Sequence, residues 1–351
     1  MSKKKILIAP LFWGIGHATR CVPIINALLK NGFEPIIASD GFALEYLKNE
    51  FPKLTSYELP AYDIRYPKRK FLLKMSLFFQ SPRILKAIKK EHQVVAKIIK
   101  KEKISGIISD NRFGVYSADI PSVYITHQVT VLSGLTTFFT SKIHQKIISK
   151  FDECWIPDSQ QVPKLAGKLS QTNSLKISAK YIGVLSRFKK ENTVETKYNY
   201  KYLVLLSGTE PQRSLLENKL ISELSKTNHN ILFVRGILNE EIKIKNTKNI
   251  QFINFLNQAE LQKAINESEI VIARSGYSTI MDLAVLNKKA FFIPTPGQTE
   301  QEYLAEHLEV LKIAPFSKQH NFKVEQLKKV TMYNGFTKDI ITPLVFPFEI
   351  F

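Results

Sequence analysis

A turn of glycines and a histidine near the amino terminus has the residue types of a catalytic loop. The stretch WGIGHATR follows an apolar run and opens a helical pattern, with Gly14 and Gly16 placed before His17. Glycines permit a tight turn and close approach of the backbone, and a helix start offers unpaired N–H groups to an anion. Imidazole titrates near neutrality, so His17 is a candidate general base; its alternative role is a turn residue capping the helix.

The same loop also allows a dinucleotide-binding interpretation. Asp40 ends the second apolar run about twenty residues further on, where a ribose-binding acid would lie. The third glycine of that motif is missing, because Thr19 stands in its place. A nicotinamide-dependent oxidoreductase therefore stays open as a less favoured alternative.

A second group of polar residues lies between Ala273 and Leu308, in the stretch ARSGYSTIMDLAVLNKKAFFIPTPGQTEQEYLAEHL. Its first turn, Arg274-Ser275-Gly276, precedes a helix that begins at Ser278 or Thr279 and whose positive end would face a phosphate. Asp282, one turn into that helix, is placed to accept two hydroxyls from a ribose. Its alternative role is interaction with the helix dipole.

Two further loops supply candidate ligand groups. Gln298, Gln301 and Glu302 have donors and acceptors suited to sugar hydroxyls, although a solvated helix start capped by Thr299 would look the same. Ser207-Gly208-Thr209 precedes Glu-Pro-Gln and predicts a phosphate cradle of backbone amides. Its alternative is a plain turn with proline at a helix start.

Short apolar runs alternate with helical patterns along the chain, which is typical of parallel sheets wrapped by helices. A lysine-rich polar stretch from about Arg187 to Lys201 separates two such series. We predict an α/β protein of two doubly wound Rossmann-like domains facing across a cleft. The first is an acceptor-binding domain at residues 1–188 and the second a nucleotide-sugar-binding domain at residues 189–330. The sequence does not indicate where the tail at 331–351 packs. Ligands of such sheets bind beyond the carboxyl ends of the strands, where all these loops fall.

Composition narrows the class of protein further. The net charge of +19 favours an anionic partner such as nucleic acid, anionic lipid or a phosphorylated substrate. No signature of a nucleic-acid-binding module is evident, so we do not expect nucleic acid. Cys21 and Cys154 stand outside any Cys/His cluster, which predicts free thiols in a reducing compartment and no metal site. The first apolar run lacks a cleavage site and predicts a strand, so a cytoplasmic location is expected.

Two stretches of the first domain interleave basic and large apolar residues: YPKRKFLLKMSLFFQSPRILKAIKK at 66–90 and VLSGLTTFFTSKIHQKIISKF at 131–151. Cations near an anionic membrane contribute about 1 kcal/mol each to binding. The alternative is a core helix with lysines on its solvated side. Together the stretches favour a peripheral position on the inner face of the cell membrane and a lipid-linked acceptor.

The pattern GxGHxxR of the first loop and the late segment RSGxSTIxDL…PTPGQTEQEYLA together resemble the GT-B glycosyltransferases. The resemblance is nearest to the family 28-like branch of the bacterial lipid II-forming N-acetylglucosaminyltransferase and its uncharacterised bacterial and archaeal relatives. It covers the plan of both domains and implies an inverting transfer from a UDP-sugar, UDP-N-acetylglucosamine first, to a cell-envelope lipid or glycan acceptor. The UDP-sugar would be a co-substrate, and no cofactor is expected.

The resemblance also assigns roles to individual residues. The matching residues are Asp282 for the ribose, Gln301 and Glu302 for the donor sugar, Arg187 and Ser207 to Thr209 for the phosphates, the backbone near Leu256 for the uracil, and His17 near the reaction centre. The lipid II enzyme usually carries Gly-Gly-His in its first loop and a glycine-rich turn in its second domain. This chain has Gly-Ile-Gly-His and Ser-Gly-Thr-Glu-Pro at these places, so the acceptor need not be a peptidoglycan precursor. Asp282 is shorter than the usual glutamate, which affects its contacts with the ribose hydroxyls.

Departure of UDP leaves negative charge, which helix starts with Arg274 and Arg187 would stabilise in a transferase without a metal. The sequence contains no Asp-x-Asp motif that would hold one. His17 is the first candidate for the base that takes the acceptor proton, and Asp110, at the end of IISD, is the second. A nucleotide-sugar epimerase or hydrolase of the same fold and a non-catalytic partner subunit remain as alternatives.

Overall fold

The structure, a computed structural model, describes residues 3–12, 15–62, 73–173, 175–189, 198–237, 246–337 and 341–351. The chain forms two compact units. The first contains the residues up to Asp158, Lys168–Leu185 and Pro343–Phe351, and the second contains Ser159–Gly167 and Ser186–Thr342. The chain passes from the first unit to the main part of the second between residues 185 and 186, three residues before the predicted domain boundary. The last residues of the predicted tail, Pro343–Phe351, belong to the first unit.

The first unit is built on a seven-stranded parallel sheet in the order β3-β2-β1-β4-β5-β6-β7. Its strands are β1 Lys5–Pro10, β2 Glu34–Ser39, β3 Ser56–Glu58, β4 Ile104–Asp110, β5 Ser122–Ile125, β6 Glu153–Ile156 and β7 Ser178–Tyr181. The order reverses beside β1, which pairs with β2 on one side and β4 on the other. Such a reversal opens a crevice at the carboxyl ends of the two central strands.

Helices cover both faces of this sheet: α1 Ile15–Lys30, α2 Gly41–Glu50, α3 Leu73–Glu102 and α4 Thr137–Ile148. Side chains of β1 alternate between the faces, since Ile6 and Ile8 pack with α1 and α2 whereas Leu7 and Ala9 pack with Val95 of α3. Burial on both faces explains why the strands are continuous apolar runs. No helix in the described part of the chain is long and apolar enough to cross a bilayer.

Helix α1 ends at Lys30 because the next two residues, Asn31 and Gly32, favour a turn. Gly32 has φ +81, a left-handed conformation that glycine adopts without strain. The N–H of Gly32 bonds the carbonyl of Leu29 at 3.2 Å, and the N–H of Phe33 bonds that of Leu28 at 3.0 Å. This pair of bonds satisfies two carbonyls that a helix end would leave open.

The second unit is a five-stranded parallel sheet in the order β10-β9-β8-β11-β12. Its strands are β8 Tyr200–Leu205, β9 Ile231–Val234, β10 Ile250–Ile253, β11 Ser268–Ala273 and β12 Lys289–Phe292. Its helices are α5 Gln212–Leu224, α6 Gln258–Asn266, α7 Tyr277–Val285 and α8 Thr299–Val310. The predicted α/β class with two Rossmann-like domains is therefore confirmed. Short 3-10 helices lie at Gly134–Thr136, Gly167–Ser170, Gln319–Asn321, Val324–Met332 and Phe348–Ile350.

The end of the chain completes the core of the first unit. Val345 N–H bonds the carbonyl of Ile182 at 3.0 Å, directly after β7. Phe348 and Phe351 pack their rings about 6 Å from that of Trp155. A Cβ on Gly106 of β4 would overlap the Phe351 ring, so the absence of a side chain at Gly106 makes room for it.

Candidate active site

Three polar groups converge at the crevice of the first sheet. His17 lies in the first turn of α1, directly after β1; Asp110 is the last residue of β4; and His127 follows β5. His17 Nδ1 lies 2.9 Å from Asp110 Oδ1, at the distance of a hydrogen bond. The structure thus brings together the two residues predicted separately as candidate bases.

Arg20 binds the Asp110 carboxylate through two of its nitrogens, Nη2 to Oδ1 and Nε to Oδ2 at 2.6 Å. Its third nitrogen, Nη1, lies 3.0 Å from His127 Nδ1. Burial would raise the pKa of Asp110, but the Arg20 guanidinium and then His17 outweigh it, and the pKa lies well below the usual aspartate value. Asp110 is therefore an ionised, fully buried acceptor of hydrogen bonds.

This environment corrects the prediction that Asp110 is a second candidate base. Both of its oxygens are bonded inside the protein, and its lowered pKa makes it a poor proton acceptor. His17 Nδ1 also lies 2.9 Å from Arg20 Nη2, which can only donate. In the tautomer with a proton on Nδ1, that proton points to the Asp110 carboxylate and Nε2 is the nitrogen left for proton transfer. The His17 side chain remains 14% exposed.

Asp40, the acid of the dinucleotide interpretation, is already bonded to another side chain of the protein. Asp40 forms an ion pair with the fully buried Arg112, whose Nε also binds Glu91. Tyr62 donates to the same Glu91 at 2.5 Å. This network removes Asp40 as a ribose ligand, and the third glycine was already missing from the sequence. The described part of the loop keeps Gly16, whose carbonyl accepts from Thr19 at 3.1 Å; Gly14 lies outside the described residues.

In the second unit Asp282 is held by the segment that enters this unit. Ser186 donates its hydroxyl to Asp282 Oδ1 at 2.5 Å, and Arg187 Nε lies 3.6 Å from Oδ2. Burial raises the pKa of Asp282, and the nearby Arg187 charge and Ser186 hydroxyl oppose that rise. The structure thus places Arg187, predicted to reach the phosphates, beside the predicted ribose acid.

Arg274 requires a correction. Its buried guanidinium donates to the carbonyls of Ile293 and Pro294 at 3.0 and 3.1 Å and to that of Gln212 at 2.9 Å. Burial lowers its pKa to about 10. The side chain therefore links the segments that follow β11, β12 and β8. The prediction that it extends toward a phosphate is wrong.

The predicted sugar-reading residues also shape the loop after β12. Gln301 Oε1 accepts from the N–H of Thr295 at 2.8 Å, and Glu302 Oε1 accepts from that of Gly297 at 2.9 Å. The Gln301 carbonyl accepts from buried Ser275 at 2.7 Å. The N-cap of α8 is the exposed Gln298, not Thr299.

The remaining predicted residues lie at strand ends of the same sheet. Ser207, Gly208 and Thr209 are exposed between β8 and α5, and Gly208 has φ +105, which requires glycine. Gly276 is the N-cap of α7 with φ −71, and Ser278 lies in the first turn. Half-buried Leu256 follows β10. These loops stand at the sheet edge where ligands of doubly wound folds bind.

The sequence interpretation assigned no role to three residues of these sites. Arg20 lies one helical turn after His17, and that spacing could have identified it. His127 follows a strand at its carboxyl end, which is a weaker signal. Ser186 has no local signal, because its partner Asp282 lies 96 residues away.

Two doubly wound sheets, each with polar groups at the carboxyl ends of its strands, define the GT-B class of fold. Comparison with known proteins agrees with this assignment. Residues 202–333 match the glycosyltransferase family 28 C-terminal domain. The chain is a glycosyltransferase of the GT-B fold, similar to family 28, and the resemblance drawn from its motifs is confirmed.

Individual relatives cover most of the chain. An uncharacterized glycosyltransferase of Methanosarcina mazei is 25% identical over 322 residues, covering 85% of this chain and 81% of the relative. The UDP-N-acetylglucosamine--N-acetylmuramyl-(pentapeptide) pyrophosphoryl-undecaprenol N-acetylglucosamine transferase of Rickettsia akari is 26% identical over 336 residues, covering 87% and 83%. The crystal structure of Acinetobacter baumannii MurG superposes with a TM-score of 0.56 at 15% identity, covering 94% and 90%.

Proposed function

We propose that the chain transfers a sugar, with inversion, from a UDP-sugar to a hydroxyl of a lipid-linked or glycan acceptor of the cell envelope. N-acetylglucosamine is the proposed sugar, and the name of the Rickettsia akari relative supports both donor and acceptor class. The observation that carries the proposal is the contact of 2.9 Å between His17 and a carboxylate kept ionised by Arg20. This arrangement suits a neutral imidazole that must accept a proton.

In the proposed reaction His17 Nε2 takes the proton of the acceptor hydroxyl. The hydroxyl oxygen forms a bond to the anomeric carbon of the sugar, while the bond from that carbon to the diphosphate oxygen breaks on the opposite face. The configuration at the anomeric carbon inverts, and UDP leaves with the electron pair. Asp110 stabilises the resulting imidazolium and holds the ring in the tautomer that has Nε2 free to accept.

The leaving diphosphate needs positive potential, for which we propose the start of α7, where Gly276 is the N-cap and makes no side-chain cap bond. At the start of α5 the N–H of Ser214 is already bonded to the Glu210 carboxylate and that of Arg213 to the Thr209 carbonyl. The glycines at 208 and 276 allow close approach of the backbone. With Arg274 bonded to carbonyls, Arg187 is the remaining cation of the predicted set. The proposed reaction therefore needs no metal.

Two variants test the role of the base and the role of the donor site independently. His17→Ala should lower kcat about 10²- to 10⁴-fold, the usual contribution of a general base, and leave UDP affinity unchanged. Asp282→Asn should weaken UDP binding about tenfold or more through loss of a charged acceptor for the ribose. Calorimetric titration with UDP, GDP and NAD, together with a radiolabelled sugar-transfer assay, measures both.

His320→Gln, which changes an exposed histidine of the second unit, is the control for the His17 variant. Transfer that survives in His17→Ala would refute the assigned base. Wild-type protein that binds NAD and not UDP would refute the donor and restore the oxidoreductase alternative. Turnover of the UDP-sugar without any acceptor would instead identify an epimerase or hydrolase.

A further inference from the structure

A short segment within the sequence of the first unit belongs to the second unit. Strand β6 ends at Ile156, residues Ser159–Gly167 then group with the second unit, and the chain returns to the first at Lys168. We call Ser159–Gly167 the inserted segment. Leu165 and Ala166 within it are fully buried, so this segment is packed into the structure and is not a loose surface loop.

The inserted segment contacts helix α8 at two places. His307 Nε2 lies 2.7 Å from the carbonyl oxygen of Lys164, which can only accept, so Nε2 carries the proton of this bond. Tyr303, one helical turn before His307, stacks its ring on the imidazole with 5.7 Å between the ring centroids and 10° between the planes. Gly167 has φ +56, and a Cβ on it would overlap the Tyr303 hydroxyl and lie 2.9 Å from the His307 ring. The backbone of the segment thus fits closely against two side chains of α8.

The beginning of the inserted segment is also attached within the second unit. Ser159 is buried, and its hydroxyl oxygen accepts from the Thr342 hydroxyl at 2.7 Å and from the N–H of Gln161 at 3.1 Å. The segment is therefore held at both of its ends. Helix α8 has in it a support that is continuous, through the chain, with the first unit.

Helix α8 carries the residues proposed to contact the donor sugar. Gln301 and Glu302 lie in its first turn, and Tyr303 follows them directly. Leu304 and Leu308 are fully buried and hold another face of the helix in the core. Because a helix moves as a rigid element, a displacement at His307 also displaces the first turn. A misplacement of about 1 Å in a positioning element can cost roughly 10²-fold in catalysis.

We propose that the inserted segment sets the position of α8 for the donor sugar, and that His307 is the positioning residue through which it acts. The inference rests on the proposed function, in which Gln301 and Glu302 contact the sugar. His307 acts through α8 and does not itself contact the donor. The nucleotide half of the donor is assigned to α7 and to the loops after β8 and β10. Loss of the segment contact should therefore weaken binding of the sugar and leave binding of UDP unchanged.

The test is calorimetric titration of the wild type and His307→Ala with UDP and with UDP-N-acetylglucosamine, which needs no acceptor. His307→Ala should bind UDP-N-acetylglucosamine about tenfold more weakly, through misaligned hydrogen bonds to the sugar, and should bind UDP as the wild type does. Unchanged UDP binding also shows that the variant is folded. Gly167→Ala, which pushes against the Tyr303 hydroxyl, should have the same effect.

Two further variants complete the design. In His307→Gln the side-chain amide can still donate to the Lys164 carbonyl, so this variant should recover most of the affinity for UDP-N-acetylglucosamine. Glu306→Ala, at an exposed neighbouring position of α8, is the matched control and should leave both affinities as they are.

Two results would overturn the inference while leaving the donor site in place. One is wild-type affinity for UDP-N-acetylglucosamine in His307→Ala. The other is an equal loss of affinity for both ligands, which would make the contact a general support of the second unit. If the wild type binds neither ligand, the proposed function itself fails, and the inference fails with it.

Discussion

Arg20 decides which of two neighbouring residues can act as the base. It bonds both oxygens of Asp110 inside the first unit, and the resulting ion pair keeps the carboxylate charged where burial alone would favour a proton. A residue buried in this way orients its partner and takes no proton from a substrate. His17, 2.9 Å away and still partly exposed, therefore holds the catalytic role in the proposal.

His144 makes the stability of the first unit depend on pH. Its side chain is buried on α4, where Nε2 lies 3.0 Å from the Tyr124 hydroxyl, and burial lowers its pKa to about 4. An unfolded histidine has a pKa near 6.5, so between about pH 6.5 and pH 4 the unfolded state binds a proton that the folded state does not bind. The free energy of unfolding should fall by about 3 kcal/mol between pH 6.5 and 4 from this residue alone.

Urea unfolding of the wild type and His144→Gln at pH 7 and pH 5 measures this effect. The variant should lose less stability than the wild type over that interval, because its side chain does not titrate. His320→Gln, at an exposed position, is the control. Equal losses in the wild type and His144→Gln would show that other groups set the pH dependence.

At the scale of elements, α4 exposes apolar side chains that a core helix would bury. Phe138, Phe139 and Ile143 are 62, 66 and 64% exposed, and Lys142 Nζ lies 4.3 Å above the Phe138 ring. The opposite side of α4 packs inward through His144 and other buried residues. This combination is what the prediction of a peripheral membrane position from residues 131–151 requires, and we propose α4 as the surface that meets an anionic membrane.

Vesicle sedimentation tests that surface. Phe138→Ser with Phe139→Ser should weaken binding to phosphatidylglycerol vesicles at least tenfold, since each buried aromatic ring contributes roughly 1.5 to 3 kcal/mol. Leu215→Ser, which removes an exposed apolar side chain from α5, should leave binding unchanged. Binding that is equal in all three proteins would place any membrane surface elsewhere. The basic residues at 68–70 lie outside the described residues.

What the sequence predicts depends on how far apart the interacting residues are. Apolar runs such as SEIVIA and the helix beginning at Gln258 follow from local periodicity and capping, and the structure has them at β11 and α6. The place of Asp282 one turn into a helix also predicted it as a ribose ligand, and that role stays a prediction. The partners of Asp282 and Arg274 are set by packing over long sequence distances, as with the 62 residues that separate Arg274 from Gln212, and no local pattern encodes them.

At the scale of the molecule, the end of the chain should stabilise the first unit. Gly106→Ala places a methyl group where the Phe351 ring lies, and overpacking of this kind costs about 1 to 3 kcal/mol. In Phe351→Ala the ring is gone, so adding Gly106→Ala should cost little more. Urea unfolding followed by Trp155 fluorescence, in a Trp13→Phe background, measures this cycle. Additive losses would show that the two positions do not interact.

The distribution of the first unit along the chain fixes an order of events during synthesis. Its strands are complete once Leu185 has been made, yet Phe348 and Phe351, which pack beside Trp155, follow only after the whole second unit. At a translation rate of 5 to 20 residues per second, roughly 10 to 30 s separate the two. During that interval the second unit can close its own core, whereas Trp155 of the first unit still lacks the two aromatic rings that pack beside it.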